Sequence, residues 1–412
     1  MTNICIFGAG YVGKEVAKLA SHRGFSIMLV DSDPTVVAEI QEGYQLENAK
    51  IDRVTTNGSL VVEKADVIVC AVPTPLSPSH AVDLGAVKSV TETISRVDPS
   101  SEKLYVIEST VPPGTTEDVI VPILESNGLV VGQDIYVAHV PERINPGDGD
   151  WPLEAIPRVA GAASQEGLTR TVTFYESLLD ANVHPVTSPS VAEASKIVEN
   201  AYRDINIAFV NEIAMTLDYM EIDTELVLEA AATKPFGFAR FSPGVGVGGH
   251  CIPVDPYFLI GEADARGFDN RLLKYSRDIN DGMPKYVSEI TLEALSAIGI
   301  RPEGARVVLL GKAFKPNVSD VRNSPYFRLK DELQAYEVVV ETYDPHVPAD
   351  STIESPYVPA DAVVLVTAHE EFHSLSFKIF RENNVQVFID GRNLYNPEDS
   401  DEYGINYVGV GR

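Results

Sequence analysis

Cysteine is scarce: Cys5, Cys70 and Cys251 are the only three in 412 residues, and none forms a CxxC or Cys/His ligand spacing. That excludes a disulfide framework and a structural zinc site, so no metal is expected and a reduced cytoplasm fits. No apolar run approaches the ~20 residues that span a bilayer, so no membrane partner is expected. Met1-Thr2-Asn3 leads straight into a short apolar strand, so no secretory leader is expected either. Positive charge is also scarce: 32 Lys and Arg stand against 60 Asp and Glu, a net charge of -28. This argues against nucleic-acid binding. The acid is spread along the chain, which reads as a solvated surface and would suit a high-salt cytoplasm.

What remains is ordinary globular composition, 44% hydrophobic and 22% charged. The pattern predicts an α/β protein: two Rossmann-like parallel-sheet domains, residues 1–185 and 301–412, joined by a central all-helical domain, 186–300. In the first, Asn3-Ile4-Cys5-Ile6-Phe7 is a buried strand. Gly8-Ala9-Gly10-Tyr11-Val12-Gly13 follows, and then a helical period. GxGxxG in this setting lets a pyrophosphate approach the backbone at a helix N-terminus. A second strand, 26–30, ends in Asp31, placed to bind adenosine ribose hydroxyls. No Arg or Lys follows closely, which favours NAD over NADP. Asp33-Pro34 fits a helix cap better than Asp31 does. Strands at 66–70, 104–107 and 135–140 end in loops holding Pro73-Thr74, Ser109-Thr110 and Glu142-Arg143-Ile144-Asn145-Pro146-Gly147. Ligands in open α/β sheets bind at that edge. Cys5 and Cys70 fall inside strands, as small core residues.

In the middle, Ser190-Val191-Ala192-Glu193 reads as a capping box opening a helix to about residue 220. Glu193, Lys196, Asn200, Asp204 and Asn211 form a polar row on it. Lys196 and Asn200 are one turn apart, and a lone Lys there is most often solvated surface. Gly282-Met283-Pro284 reads as the start of another helix, to about residue 298. Between these lies the richest segment, Phe241-Ser242-Pro243-Gly244-Val245-Gly246-Val247-Gly248-Gly249-His250-Cys251-Ile252-Pro253-Val254-Asp255-Pro256. It can be neither mid-helix nor central strand. Its backbone must come very close to something, and Asp255-Pro256 reads as an N-cap and first helical residue. Cys251 thus precedes a helix N-terminus, a position that favours a thiolate. The last third repeats the strand and helix alternation, with strands at 305–311, 337–341, 362–366 and 385–390. Its first loop, Lys312-Ala313-Phe314-Lys315-Pro316-Asn317, departs from GxGxxG. A second NAD is therefore not expected, and its basic residues suit a diphosphate.

Taken together, GAGYVG, CAVPTPL, ESTVPPGTT, PERINPG, AEASKIVEN, GVGGHCIPVDP and GKAFKPNVSDVRNSP, in that order, resemble the UDP-glucose/GDP-mannose dehydrogenase family along essentially the whole chain. The resemblance implies NAD bound by Gly8, Gly10, Tyr11, Val12, Gly13, Asp31, Pro73, Thr74 and Thr110, with Arg322 at the cofactor or its domain link. It implies oxidation of a sugar C6 alcohol to a carboxylate with two NAD+. Cys251 would be the nucleophile, and Lys196 with Asn200 would stabilise oxyanions. Asp255 would serve proton transfer, and Glu142 and Thr110 would position water and substrate. Substrate contacts would come from Glu142, Arg143, Lys196, Asn200, Phe241, Gly244, Gly248 and Lys315, with Arg240 reaching the substrate of a partner subunit in a homodimer built on the central helices. His250 and the Pro-Val-Asp-Pro after Cys251 resemble the UDP-N-acetylmannosamine and UDP-N-acetylglucosamine branch more than the UDP-glucose branch. Lys312 departs from the family's usual apolar residue. A two-electron β-hydroxyacid-type dehydrogenase is the rival, but it needs neither Cys251 nor residues 303–412.

Overall fold

The computed structural model describes residues 2–43, 46, 49–98, 102–144 and 151–412. The chain divides into two compact units, Met1–Glu199 with Tyr257–Asp269, and Asn200–Pro256 with Asn270–Arg412.

The first unit runs β1 (Asn3–Phe7), α1 (Tyr11–His22), β2 (Ser26–Val30), α2 (Pro34–Gln41), β3 (Arg53–Thr55), β4 (Val67–Cys70), α3 (Gly85–Ile94), β5 (Lys103–Ile107), α4 (Val121–Ser126), β6 (Ile135–His139), β7 (Arg158–Ala162), α5 (Gln165–Leu178) and β8 (Val183–Pro185). The eight strands form one sheet, ordered β3-β2-β1-β4-β5-β6-β7-β8. β1 pairs in parallel with both β2 and β4, so the strand order reverses there and opens a crevice at the carboxyl ends. Alternate residues of β1 and β2 enter different cores: Ile4, Ile6, Ile27 and Leu29 on one face, Cys5, Phe7 and Met28 on the other. A sheet covered on both faces needs unbroken apolar strands, which is why these were legible. Burial pushes the Cys5 thiol up to about 12 and the Cys70 thiol to about 11, so both are inert core groups.

The strand pairings of this sheet are parallel with one exception. β7 runs antiparallel to β6, so the sheet is not parallel throughout. β7 opens on Arg158 and contains Gly161, and β3 and β8 span three residues each, so none of the three carries an apolar run.

α6 (Pro189–Asp218) is a 30-residue helix, and the boundary between the units falls within it. α7 (Thr224–Ala232), α8 (Asp255–Ala265) and α9 (Arg271–Ala297) follow. The remaining elements are β9 (Arg306–Leu310), α10 (Pro325–Gln334), β10 (Val339–Tyr343), β11 (Ala362–Leu365), α11 (Phe377–Glu382), β12 (Val387–Asp390), α12 (Glu398–Asp401) and β13 (Asn406–Gly409). Their strands form a parallel sheet ordered β10-β9-β11-β12-β13. Among the described residues, only helices and loops lie between β8 and β9. None of the described helices is long and apolar enough to cross a membrane.

Two boundaries are corrected. β10 starts at Val339 rather than 337, because Glu337 takes φ 60 in the preceding turn. α9 starts at Arg271 rather than 282, carrying Pro284 inside it. Proline cannot donate to the carbonyl four residues back, here that of Asn280. Gly246 lies against that carbonyl: a Cβ there would stand 2.9 Å from Asn280 O.

Candidate active site

The first unit builds a dinucleotide cradle at the β1/β4 crevice. A Cβ on Gly13 would stand 1.8 Å from Gly8 O, so only glycine lets α1 pack this close to the turn after β1. Around Gly10, by contrast, nothing lies within 4 Å of where a Cβ would be. Gly10 is also the N-cap of α1 and has no side chain to occupy the first amides. An open backbone at an uncapped helix N-terminus suits a pyrophosphate. Asp31 Oδ2 accepts from Ala9 N at 2.7 Å, which fixes the strand-end acid beside the glycine turn. Asp33 caps α2 through Thr35 N, as its sequence setting predicts. Val12 packs inward on the core, while the Tyr11 ring is half exposed. Burial and then the Glu15 and Glu142 carboxylates hold the Tyr11 phenol above its usual range, so Tyr11 and Glu142 share one neighbourhood.

The neighbouring loops are tied into the same edge. Thr74 Oγ1 donates to Thr110 O at 2.7 Å, and Ser109 Oγ donates to Val72 O at 2.7 Å. Pro73, Thr74 and Thr110 are thus joined across the loops after β4 and β5. Glu142 is buried beside Arg158, 3.2 Å away. Arg143 is held by Glu199 of α6 and by Pro157 O. Asn145, Pro146 and Gly147 lie outside the described residues.

The second unit builds the cysteine loop. Cys251 is exposed. The close neighbour its glycines demand is the loop that follows β9. A Cβ on Gly249 would meet the Phe314 ring at 2.8 Å, and one on Gly248 would meet Asn323 O and Pro325 at 2.8 Å. Gly249 also has φ +93, in the left-handed region that disfavours side chains. Two hydrogen bonds lock the contact: Gly249 N to Arg322 O at 3.0 Å, and Asn323 Nδ2 to Gly249 O at 2.9 Å. The bare sides of Gly248 and Gly249 therefore face Phe314, Asn323 and Pro325. On the far side of the thiol the chain turns at once into α8, with Val254 N and Asp255 N both donating to Cys251 O. Asp255 is the first residue of α8, and its Oδ2 accepts from Asn200 Nδ2 at 2.5 Å, buried.

Arg322 lies within electrostatic range of the thiol. Its hydrogen bond to Asp320 raises its pKa, and Cys251 adds to the same effect through charge. Burial, and then Arg322, lower the His250 pKa, so the residue before the thiol is neutral at pH 7. Phe241 packs edge-on against Tyr202, and Gly244 N donates to Asn211 Oδ1 at 2.9 Å. Arg240 is ion-paired to Glu225. Lys315 Nζ lies 5.9 Å from the centre of the Phe314 ring. Lys312, the family departure, pairs with Asp350 at 2.8 Å.

The polar row of α6 is not a solvated face. Lys196 is 9% exposed, and Glu193, Asn200, Asp204 and Asn211 are buried. Nor is Glu193 part of a capping box: its carboxylate accepts from Gly114 N, Thr116 N and Thr116 Oγ1 at 2.6–2.8 Å, clamping the Pro-Pro-Gly-Thr-Thr turn. Asp204 pairs with Arg277 at 2.6 Å, and Asn211 donates to Asn280 Oδ1 at 2.9 Å. Reading the row as a helix surface missed Arg277 and Asn280, whose only sequence signal is polar residues at helical spacing in a segment assigned no helix.

The second sheet repeats the first turn but closes it. Gly311 N donates to Tyr343 O as Gly8 N does to Val30 O, at 2.9 and 2.8 Å. Asp344 stands where Asp31 stands, accepting from Lys312 N and Ala313 N. Here the carboxylate is buried under His369, 3.2 Å away. This acid is engaged inside the fold, unlike the partly exposed Asp31.

Three models of the UDP-glucose/GDP-mannose dehydrogenase family match: the NAD binding domain over residues 2–179, the central domain over 190–282 and the UDP binding domain over 308–397. A UDP-N-acetyl-D-glucosamine 6-dehydrogenase of Pseudomonas aeruginosa is 33% identical, over 97% of this chain and 98% of its own. A UDP-N-acetyl-D-mannosamine dehydrogenase of Pyrococcus horikoshii is 33% identical, over 99% of both. A solved UDP-D-ManNAc dehydrogenase structure from Pyrococcus horikoshii superposes with a TM-score of 0.90 at 31% identity, covering 100% of this chain and 99% of that one. The chain therefore belongs to the UDP-glucose/GDP-mannose dehydrogenase family, as an NAD-dependent dehydrogenase.

Proposed function

We propose that the protein oxidises the C6 alcohol of a UDP-N-acetylhexosamine, UDP-N-acetylmannosamine or UDP-N-acetylglucosamine, to the uronic acid, with Cys251 as covalent nucleophile. The observation that carries this is the presentation of Cys251: an exposed thiol on a loop clamped by Phe314 and Asn323, with Asp255 one turn on and anchored by Asn200. The full-length relatives named above support the N-acetylhexosamine class, as do His250 and Val254 flanking the thiol.

When bound, NAD+ supplies the hydride acceptor for each of the two oxidations. Gly10 at the α1 N-terminus would hold its pyrophosphate, with Gly8 making the turn and Gly13 letting α1 pack close to it, and Asp31 would hold its ribose. Pro73, Thr74 and Thr110 line the same edge. Cys251 Sγ adds to the C6 aldehyde, and the carbonyl oxygen becomes the hydroxyl of a thiohemiacetal. The adduct keeps the sugar in place between the two oxidations. The second oxidation removes a hydride from C6 and a proton from the hydroxyl, which turns the thiohemiacetal into a thioester; water then adds at its carbonyl carbon and the thiolate leaves to give the carboxylate. Lys196 and Asn200 stabilise the oxyanions. Asp255 moves the protons, and Glu142 with Thr110 orients water and sugar. Arg322 supplies positive charge within electrostatic range of the thiol. Arg143, Phe241, Gly244, Gly248 and Lys315 line the sugar-nucleotide path, and Arg240 reaches a second subunit's substrate.

Exposed apolar side chains on α6 and α9, among them Tyr202, Phe209, Leu272 and Tyr275, support a homodimer. The enzyme acts in the cytoplasm, supplying acidic sugar donors for a polysaccharide. The test is a panel of UDP-N-acetylmannosamine, UDP-N-acetylglucosamine, UDP-glucose and GDP-mannose, followed by NADH absorbance. One of the two N-acetylhexosamines should give the highest kcat/KM. Preference for UDP-glucose or GDP-mannose would overturn the substrate reading.

A further inference from the structure

Arg158 is among the most deeply buried side chains of the first unit, 1% exposed. A buried guanidinium is costly unless its hydrogen bonds are met, so its partners show what it is for. Its Nη1 donates to Pro141 O at 3.1 Å and lies 3.2 Å from Glu142 Oε1. These are consecutive residues in the loop after β6. One contact fixes the backbone just before Glu142, and the other fixes its carboxylate. Ile144 N donates to the same oxygen. Both described contacts of the Glu142 carboxylate thus fall on Oε1.

Behind Arg158 stands a second carboxylate, Glu108, at the end of β5. It is 2% exposed, and Tyr175 of α5 donates to its Oε1. Burial raises the Glu108 pKa; Arg158 opposes that through its charge and Glu142 adds to it. Glu108, Arg158 and Glu142 are therefore one electrostatic group. Within it, Glu142 is the carboxylate in salt-bridge range of the guanidinium.

We infer that Arg158 is a positioning residue for Glu142: it immobilises Oε1, so that Oε2 is the oxygen that meets the sugar or its hydrolytic water. This rests on the reading that Glu142 takes part in the chemistry. One guanidinium nitrogen, Nη1, reaches both the Pro141 carbonyl and the Glu142 carboxylate, so a Lys ammonium keeps the charge but sits on a flexible stem without the planar group that fixes this approach.

The test uses the full chain with its preferred sugar nucleotide. Arg158→Met should lower kcat about tenfold or more, a part of the roughly 10²–10⁴-fold that one general acid-base group contributes, with KM for NAD+ and sugar within about twofold. Arg158→Lys should recover part of kcat. Arg158→Met combined with Glu142→Gln should be no slower than Glu142→Gln alone, because both remove the same function. Additive losses overturn the inference, as does Arg158→Lys being no faster than Arg158→Met. If Arg158→Met does not fold, the cycle of Arg158→Lys with Glu142→Gln carries the test by the same criterion of additivity. The underlying reading fails separately, and regardless of Arg158, if Glu142→Gln alone keeps the wild-type rate.

Discussion

Asn200 of α6 donates its side-chain amide to Asp255 Oδ2 across 2.5 Å, and both residues are buried. The donor fixes which way the carboxylate points, four residues after Cys251. Asn200→Ala removes this hydrogen bond to a carboxylate and should cost about 1.5–3 kcal/mol. Asn200→Asp does more harm, because it sets one carboxylate against another in a buried place. Urea unfolding should therefore rank wild type above Asn200→Ala and Asn200→Asp lowest, with kcat in the same order. Equal stability of Asn200→Asp and wild type would mean that Asp255 is not held as a carboxylate.

The contact between Gly249 and Phe314 can be tested from both sides. Gly249→Ala introduces a Cβ 2.8 Å from the ring at φ +93. Backbone strain of this kind costs on the order of 1–3 kcal/mol. Adding Phe314→Ala removes the clash but not the φ penalty, so the double variant should recover some but not all of the loss. Melting temperatures of the two single variants and the double variant give the coupling. Strict additivity would show that the ring does not press on the loop.

Asp344 gives a pH-dependent prediction. Burial alone would raise its pKa, but hydrogen bonds from His369 and from the Ala313 and Lys312 amides outweigh it and hold the carboxyl at about 2. The folded value lies below the unfolded value of about 3.9. The stabilisation is therefore fully present above the unfolded pKa and is lost as pH falls toward 2. The urea midpoint of Asp344→Asn should lie below wild type at pH 6, and the gap should narrow as pH drops. A gap independent of pH would show that the carboxylate charge is not what stabilises this turn.

How much could be read without coordinates differed by feature. β1, α1 and Asp31 were legible because a strand buried on both faces is unbroken apolar sequence and the glycine turn has fixed spacing. Cys251 was legible as a loop residue before a helix. What its glycines approach was not, since Phe314 and Asn323 lie more than 60 residues further on. Pro284 marked a helix start by local rules, whereas α9 carries it internally, with the Asn280 carbonyl against Gly246. Glu193 matched a capping box, yet its carboxylate satisfies amides near residue 115. Arg158 opens a short strand and gave no local sign that its partner is Glu142.

The most direct measurement is the NADH yield per sugar together with mass analysis of Cys251. Wild type should release two NADH per sugar and form a sugar adduct on Cys251 during turnover. Cys251→Ala should bind NADH with unchanged affinity yet make no uronic acid. Uronic acid from Cys251→Ala at the wild-type rate, or one NADH per sugar from wild type, would contradict the account.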